Sequence, residues 1–173
     1  VRAALTAVIH RMIEAPGTFD TFINLMTSMK KLVILEDHNA DKGASWDLAS
    51  SLSWYDATAR YYRNHPYVAI GTVNEPNCDS QTAATTAARN MKAIYDRVRS
   101  AGFNNLVLLG VNDNLQLLAN CGFMGNMSNV AWDLHAYGWA NNYDASQAAC
   151  DNWIASYIKL LAVDNNNLSL DGV

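Results

Sequence analysis

Residues 67–77 read YVAIGTVNEPN, and the change from apolar to polar within this stretch indicates the fold. Its first part is a short, continuous apolar run, which is typical of a strand buried on both faces of a parallel sheet. The run ends abruptly in an amide, a carboxylate and a proline, at Asn74, Glu75 and Pro76. Because Glu75 is one of only three glutamates in the chain, its position directly after a buried strand suggests a chemical role.

The same pattern is repeated on both sides of this stretch. Apolar runs predict strands at residues 31–36, 67–73, 105–111 and 129–135, and helical spacing of apolar residues predicts helices at 47–64, 80–100 and 144–163. Strands that alternate with helices predict an α/β fold, in which helices cover a parallel sheet. We expect Gly102 to end the helix at 80–100 as its C-terminal cap.

The N-terminal part of the chain is less regular. Apolar residues at helical spacing predict a helix over residues 1–14, which Pro16 and Gly17 would end. Asp20 is expected to cap a second helix that carries Phe22 and Ile23.

Length and composition exclude several classes of protein. The 173 residues suit a single domain over 1–173, with half of the residues hydrophobic and a net charge of −4. Lysine and arginine form no cluster, which argues against nucleic-acid binding, and no apolar run reaches the roughly 18 residues of a membrane span. The opening residues lack the pattern of a signal peptide. Cys78, Cys121 and Cys150 are either three buried thiols or one disulfide and one free thiol.

Polar residues follow each predicted strand at its C-terminal end. They are Glu36, Asp37, His38 and Asn39 after the first strand, Asn74 and Glu75 after the second, Asn112 and Asp113 after the third, and His135 and Tyr137 at the fourth. In parallel α/β proteins these strand ends converge on the ligand site. Each residue alone could be structural, but the set together favours a functional site.

Tryptophans lie close to the same strand ends. Trp46 and Trp139 fall in predicted loops, where aromatic faces beside convergent polar groups favour a sugar-binding cleft. Trp54, Trp132 and Trp153 lie within predicted helices or strands and are expected in the core.

Three segments resemble glycoside hydrolase family 5, the cellulase-like group of retaining (β/α)8 glycosidases. They are VILEDHN at 33–39, VAIGTVNEPN at 68–77 and VAWDLHAYGW at 130–139, in the order that the family has them. The resemblance implies a partial, roughly half TIM-type (β/α) barrel with parallel strands. It also implies a glycosidase that hydrolyses β-linked polysaccharide or oligosaccharide, either β-glucan such as cellulose or mannan.

The resemblance assigns a role to individual residues. Glu75 would be the general acid/base, and Asn74 would bind the 2-hydroxyl of the sugar. The substrate-binding residues would further include His38, Asn39, His135, Trp46 and Trp139, with Tyr137 beside the catalytic nucleophile. Neither a cofactor nor a metal is needed for this chemistry.

The family places its nucleophile, a second glutamate, on the strand after His135 and Tyr137. The printed sequence ends at LSLDGV, before that strand. At the other end, VRAAL is either the start of the predicted helix or the family's second strand, in which Arg2 would be the usual partner of the nucleophile.

A half barrel exposes sheet edges and an apolar interior, so we expect a homodimer that completes the barrel. The resemblance also implies secretion to the extracellular space. The alternative function is a catalytically impaired carbohydrate-binding half barrel, or a fragment of a longer family 5 enzyme.

Overall fold

The computed structural model describes residues 2–4, 17–37, 48–76, 78–111, 117, 121, 127–135 and 146–164. Within these ranges strands and helices alternate. The strands are β1 (Arg2–Ala4), β2 (Val33–Asp37), β3 (Val68–Val73), β4 (Val107–Val111) and β5 (Val130–Leu134). The helices are α1 (Asp20–Ser28), α2 (Leu48–Tyr62), α3 (Gln81–Ser100) and α4 (Gln147–Asp164). The predicted elements at 31–36, 47–64, 67–73, 80–100, 105–111, 129–135 and 144–163 are confirmed, with ends that differ by a few residues.

The five strands form one parallel sheet in the order β1-β2-β3-β4-β5. Each strand therefore pairs with the strand that precedes it along the chain, and every neighbouring pair is parallel. Parallel neighbours need a crossover connection, which helices α2 and α3 supply after β2 and β3. This is the repeated βα arrangement of a TIM-type barrel, and the predicted α/β fold class is confirmed.

Alternate strand residues point to the two faces of the sheet. The helix-covered face carries the fully buried residues Val33, Leu35, Val68, Ile70, Val107 and Leu109, which pack with Trp54 and Tyr55 of α2 and with Met91 and Ile94 of α3. The opposite face, here called the inner face, is defined by strand register and carries Ile34, Glu36, Ala69, Gly71, Leu108, Gly110, Ala131 and Asp133. The main core thus lies on the helix-covered face, and Glu36 and Asp133 are the polar side chains among these inner-face residues.

Helix α2 holds the C-terminal ends of β2 and β3. The Tyr55 hydroxyl accepts a hydrogen bond from the backbone N–H of Asp37 at 3.0 Å and reaches the carbonyl oxygens of Gly71, at 2.9 Å, and Thr72. Ser51 Oγ donates to Asp37 Oδ2 at 2.7 Å. Asp37 was expected among the polar groups of the site, but its side chain is buried beneath α2 instead.

Helix α3 has well-defined caps. Ser80 Oγ accepts from the N–H of Ala83 at its start. At its end Gly102 has a φ of 85°, the N–H of Gly102 bonds the carbonyl of Arg99, and that of Phe103 bonds the carbonyl of Val98. This is a Schellman motif, so the predicted role of Gly102 is confirmed.

Arg99 joins the end of α3 to the segments that precede β4 and β5. Its guanidinium lies 4.9 Å above the ring of Tyr95 and donates to four carbonyl oxygens, those of Phe103 (2.7 Å), Asn105 (2.8 Å), Ser128 (2.8 Å) and Asn129 (3.0 Å). These carbonyls belong to the segments that precede β4 and β5, and a charged donor is an effective partner for them.

Two predictions for the N-terminal part are wrong. Residues 2–4 form strand β1, which pairs with β2 with Arg2 opposite Ile34. They are not part of the predicted helix, and the alternative for VRAAL, a strand, is the one observed. The backbone hydrogen bonds of the sheet outweigh the helical spacing of the side chains there. The rest of 1–14 lies outside the described residues.

Asp20 is the first residue of α1, and Phe19 at the N-cap position makes no side-chain cap bond. The Asp20 carboxylate instead accepts hydrogen bonds from the hydroxyls of Tyr61 and Tyr62, at 2.7 and 2.9 Å. Because both tyrosines belong to α2, Asp20 joins the two helices.

The remaining predictions concern the tryptophans, the cysteines and membrane-spanning helices. Trp54 is fully buried, and Trp132 packs against the core. All three cysteines are thiols, of which Cys78 is buried and the others are partly buried. No helix in the described part of the chain has the length and apolar character needed to cross a membrane.

Candidate active site

Glu75 lies two residues beyond the end of β3, in an uncommon backbone conformation. Its φ is 44°, in the left-handed region that non-glycine residues rarely adopt. Such backbone strain is concentrated at functional sites, because the surrounding structure has to maintain it. The neighbouring Asn74 is buried, whereas about a third of the Glu75 side chain, 31%, is exposed. Glu75 is therefore held rigidly by its backbone and still open to a ligand.

His135 directly follows β5 and contacts Glu75. The distance between His135 Nδ1 and Glu75 Oε1 is 2.9 Å, and only 8% of the histidine side chain is exposed. Two residues that are 60 positions apart in the sequence are thus brought into hydrogen-bond contact across the sheet. Of the predicted site residues, these two are the pair that the structure brings together, with Asn74 beside them.

Gly110 in β4 explains how the end of β3 comes so near to β5. Real Cβ atoms do not approach other heavy atoms more closely than about 3.0 Å. A Cβ atom added to Gly110 would be more than an ångström closer than this to the carbonyl oxygen of Val73, and 3.5 Å from Pro76 Cδ. The end of β3 therefore leans over β4 at a position where only glycine leaves room. This close backbone approach precedes Glu75 by two residues and carries it toward His135.

Asp133 completes a row of three polar side chains. Its Oδ2 lies 3.4 Å from His135 Nε2, and 23% of its side chain is exposed. Asp133 and His135 are two residues apart, so both project from the same face of the chain. Sequence reasoning did not single out Asp133, although the Asp-x-His spacing at the end of a predicted strand was a signal that could have identified it.

Glu36 is also on the inner face, but deeper. Only 1% of it is exposed, and it packs against Gly71, where a Cβ atom would meet Glu36 Oε2 at 2.9 Å. Since Leu35 pairs with Ile70, Glu36 is level with Gly71, four residues before Glu75. This carboxylate is buried and is not exposed to a ligand.

The segment after Glu75 leads into α3 and contains Cys78, which lies near the thiol of Cys121. Burial raises the pKa of Cys78 to about 12, with smaller contributions from Cys121 and Asp79. Cys121 Sγ lies 3.4 Å from Gln81 Nε2 at the start of α3. Cys78 is thus an unreactive core thiol three residues beyond the catalytic candidate.

The other predicted site residues, His38, Asn39, Trp46, Tyr137 and Trp139, lie outside the described residues, as do Asn112 and Asp113. Among the residues that the structure does describe, no three His, Cys, Asp or Glu side chains are grouped to hold a metal ion.

The structure is a segment of a TIM-type βα barrel in which a glutamate and a histidine meet at the strand ends. The sequence model of the cellulase family, glycosyl hydrolase family 5, matches residues 11–168. The chain belongs to glycosyl hydrolase family 5. A comparison with curated proteins found no match.

Several solved structures share this fold. A mannohexaose complex of Thermomonospora fusca β-mannanase has a TM-score of 0.65 at 14% identity, over 91% of this chain and 66% of its own. XacCel5A in complex with cellopentaose has a TM-score of 0.65 at 19% identity, over 86% and 54%. The catalytic domain of a mannanase from Streptomyces sp. SirexAA-E has a TM-score of 0.63 at 14% identity, over 92% and 61%. This chain therefore spans between about half and two thirds of the length of these proteins.

Proposed function

We propose that this chain contributes the general acid/base of a glycoside hydrolase that acts on β-linked glycans, β-glucan such as cellulose or mannan. The contact of 2.9 Å between Glu75 and His135 is the observation that carries the proposal. It unites a carboxyl group with a proton-exchanging side chain at the strand ends of a family 5 fold. The glycans named for the similar structures, mannohexaose and cellopentaose, support the substrate class.

Glu75 would protonate the oxygen of the leaving sugar and later accept a proton from the attacking water. This is the sequence that retaining glycosidases require of one carboxyl group. His135 would orient the carboxyl group toward the glycosidic oxygen, and Asn74 would bind the 2-hydroxyl of the sugar. His38, Asn39, Tyr137, Trp46 and Trp139 would line the cleft, with the tryptophan rings stacked on the sugar faces.

A second carboxylate is needed to complete the reaction. The two carboxyl groups lie about 5 Å apart in retaining enzymes and about 6.5–9.5 Å apart in inverting ones. Glu36 is too deeply buried to serve. The partner carboxylate would therefore come from further βα units of a longer parent protein, or from a second copy of this chain.

Self-association would also cover exposed apolar surface. Phe22 and Leu25 of α1 and the adjacent Met29 are exposed, 40 to 58% of each residue, which is unfavourable for an isolated molecule. A homodimer in which the parallel sheet continues into a second copy of the chain would bury such surface. Because polymeric glycans do not enter cells, we place the activity outside the cell.

The alternative is a half barrel that binds oligosaccharide without cleaving it. The deep burial of Glu36, which keeps it from acting as the second carboxylate, favours this alternative.

The two functions are separated by measuring cleavage and binding on the same protein. We expect reducing sugar to be released from β-1,4-mannan or β-1,4-glucan, with a loss of about 10²–10⁴-fold in Glu75→Gln. Asp96→Asn is the matched control, because Asp96 is exposed and pairs only with Lys92 among the contacts described. Calorimetric titration with mannohexaose and cellopentaose measures binding, and light scattering measures the oligomeric state.

Each result tests one part of the proposal. Full activity in Glu75→Gln would exclude the acid/base role. Binding without cleavage would support the alternative, and absence of both would contradict both functions. A monodisperse monomer would exclude the homodimer. Aryl glycosides with good leaving groups should be less affected by Glu75→Gln than the polymers, since their departure needs no protonation.

A further inference from the structure

Both ring nitrogens of His135 face a carboxylate oxygen. Nδ1 lies 2.9 Å from Glu75 Oε1, and Nε2 lies 3.4 Å from Asp133 Oδ2. A neutral imidazole has one N–H and one lone pair, so it cannot donate to both partners at once. The two carboxyl groups therefore compete for the protons of the ring.

Three protonation patterns have to be compared. In the first, the proton is on Nδ1 and the Nε2 lone pair faces the Asp133 carboxylate, which is repulsive. In the second, Nε2–H points to Asp133, and the Nδ1 lone pair accepts a hydrogen bond from a protonated Glu75. In the third, both nitrogens are protonated and point to two carboxylates. The second and third patterns differ only in whether one proton is on Glu75 Oε1 or on His135 Nδ1.

We propose that Asp133 is a positioning residue that keeps Nε2 of His135 protonated, so that a single mobile proton is shared between Nδ1 and Glu75. Asp133 acts through His135 and is not itself in contact with the reacting atoms. Its consequence for catalysis rests on the proposed function of Glu75.

The surroundings of His135 support this assignment. Its side chain is almost fully buried, so charges nearby act more strongly than in water. On β2 to β5 the titratable residues of the inner face are Glu36 and Asp133, and Glu75 follows β3. From β4 the inner face carries Leu108 and Gly110, which have no charge. Strand β1, with Arg2, is at the opposite edge of the sheet.

Gly110 has a second role in this arrangement. It pairs with Asp133 across the β4–β5 register, so no side chain from β4 stands beside the aspartate on the inner face. The same glycine admits the end of β3 on its other side. Glu75 and Asp133 are thus kept on opposite sides of the one imidazole ring.

The reaction would use the shared proton in both steps. Glu75 gives its proton to the leaving oxygen, and its carboxylate then faces the Nδ1 lone pair, because Asp133 retains the other proton on Nε2. That arrangement is repulsive until Glu75 takes a proton from the attacking water. The proton that Glu75 gives up in the first step is thereby restored in the second, and no other acid or base is needed for these two proton transfers.

Nitrogen-15 NMR of the histidine rings tests the assignment directly. The chain has four histidines, and His135→Gln identifies the signal of His135. We expect Nε2 to remain protonated between pH 5 and 8, while Nδ1 alone titrates. In Asp133→Asn the opposite charge is lost, so the midpoint of His135 should fall by about 1 pH unit or more and the fraction with Nε2 protonated should decrease. Asp96→Asn should leave both unchanged.

Two results would overturn the proposal. One is a neutral His135 in the unmodified protein that carries its proton on Nδ1, a measurement that remains valid even if Asp133→Asn fails to fold. The other is an Asp133→Asn protein whose His135 has the original midpoint and tautomer. Neither measurement needs catalysis. Absence of hydrolysis would therefore contradict the proposed function, while the NMR results would still test the role of Asp133. If the protein is active, kcat should fall by roughly 10- to 100-fold in Asp133→Asn with KM unchanged, less than in Glu75→Gln.

Discussion

Gly110→Ala should both destabilise the sheet and separate the two residues of the candidate site. The new methyl group would meet the carbonyl oxygen of Val73, which is a backbone atom and cannot turn aside. To restore even the 3.0 Å limit of real Cβ contacts, β3 and β4 would have to part by more than an ångström at this point. The displaced carbonyl is two residues before Glu75.

The size of the effect follows from this displacement. Overpacking in a well-packed interior costs about 1–3 kcal/mol, and we expect the upper end, about 3 kcal/mol, because the obstacle is backbone within a parallel sheet. The contact between Glu75 and His135 is 2.9 Å long, and an N···O pair beyond about 3.5 Å is no longer a hydrogen bond. A shift of an ångström therefore breaks it.

Urea unfolding measures the loss of stability. Nitrogen-15 NMR measures the loss of the contact with Glu75 as a lower titration midpoint of His135. Gly102→Ala is the matched control. Its φ is 85° and the nearest atom to an added Cβ, Arg63 Cδ, is 3.8 Å away, so it should cost about 1–2 kcal/mol for the backbone conformation and leave His135 unchanged. A Gly110→Ala protein as stable as the original, or one with an unaltered His135, would refute the reasoning.

Three further perturbations test other contacts. Arg99→Lys should lower the free energy of unfolding in urea by about 2 kcal/mol, because lysine cannot serve four carbonyl oxygens; a loss no larger than that of the exposed Arg97→Lys would contradict this. Burial and the hydrogen bond to Asp20 raise the pKa of Tyr62 above its unfolded value of about 10. As the pH rises, Tyr62 therefore loses its proton first in the unfolded state, and the stabilisation present below pH 10 should be lost. The free energy of unfolding in urea should fall less steeply with pH in Tyr62→Phe than in the original protein. Equal slopes from pH 8 to 11 would show that Tyr62 is not responsible. Because the pKa of Cys78 is raised to about 12 from 9, its thiolate at pH 8 should be roughly 1,000-fold scarcer than that of an ordinary thiol. Mass spectrometry of alkylated folded protein should show Cys78 unmodified, and modification at the rate of a free thiol would disprove its burial.

The part of the fold that was predictable from sequence is the part with a strong apolar pattern. β3 could be recognised because all six of its residues are buried, so Thr72 is the one polar residue in an otherwise continuous apolar run before Asn74. The end of α3 was equally clear, because Gly102 is required at a left-handed position. Strand β1 could not be separated from a helix by its own pattern, because three residues are too few to show strand periodicity against a longer helical one, and only the family resemblance offered the strand.

Residues of the candidate site were predictable from sequence where they directly follow a strand. Their contacts were less predictable, because these depend on tertiary packing. Glu75 and His135 could be identified by position, but their contact depends on the close approach of β3 to β4 at Gly110, and no local pattern announces that approach. Asp37 illustrates the opposite error. It follows the same pattern as the site residues, yet Ser51 and Tyr55 of α2 draw it to the other face.

The sequential order of the sheet has a consequence for how the protein is made. Every described strand after β1 pairs with the strand synthesised before it, so a chain leaving the ribosome always finds a finished edge on which to add its next strand. Local pairings of this kind shorten the loops that have to close and favour fast folding. The growing sheet could thus assemble during translation, one βα unit at a time, with Glu75 in place on β3 before His135 is synthesised and the site closed only when β5 is added.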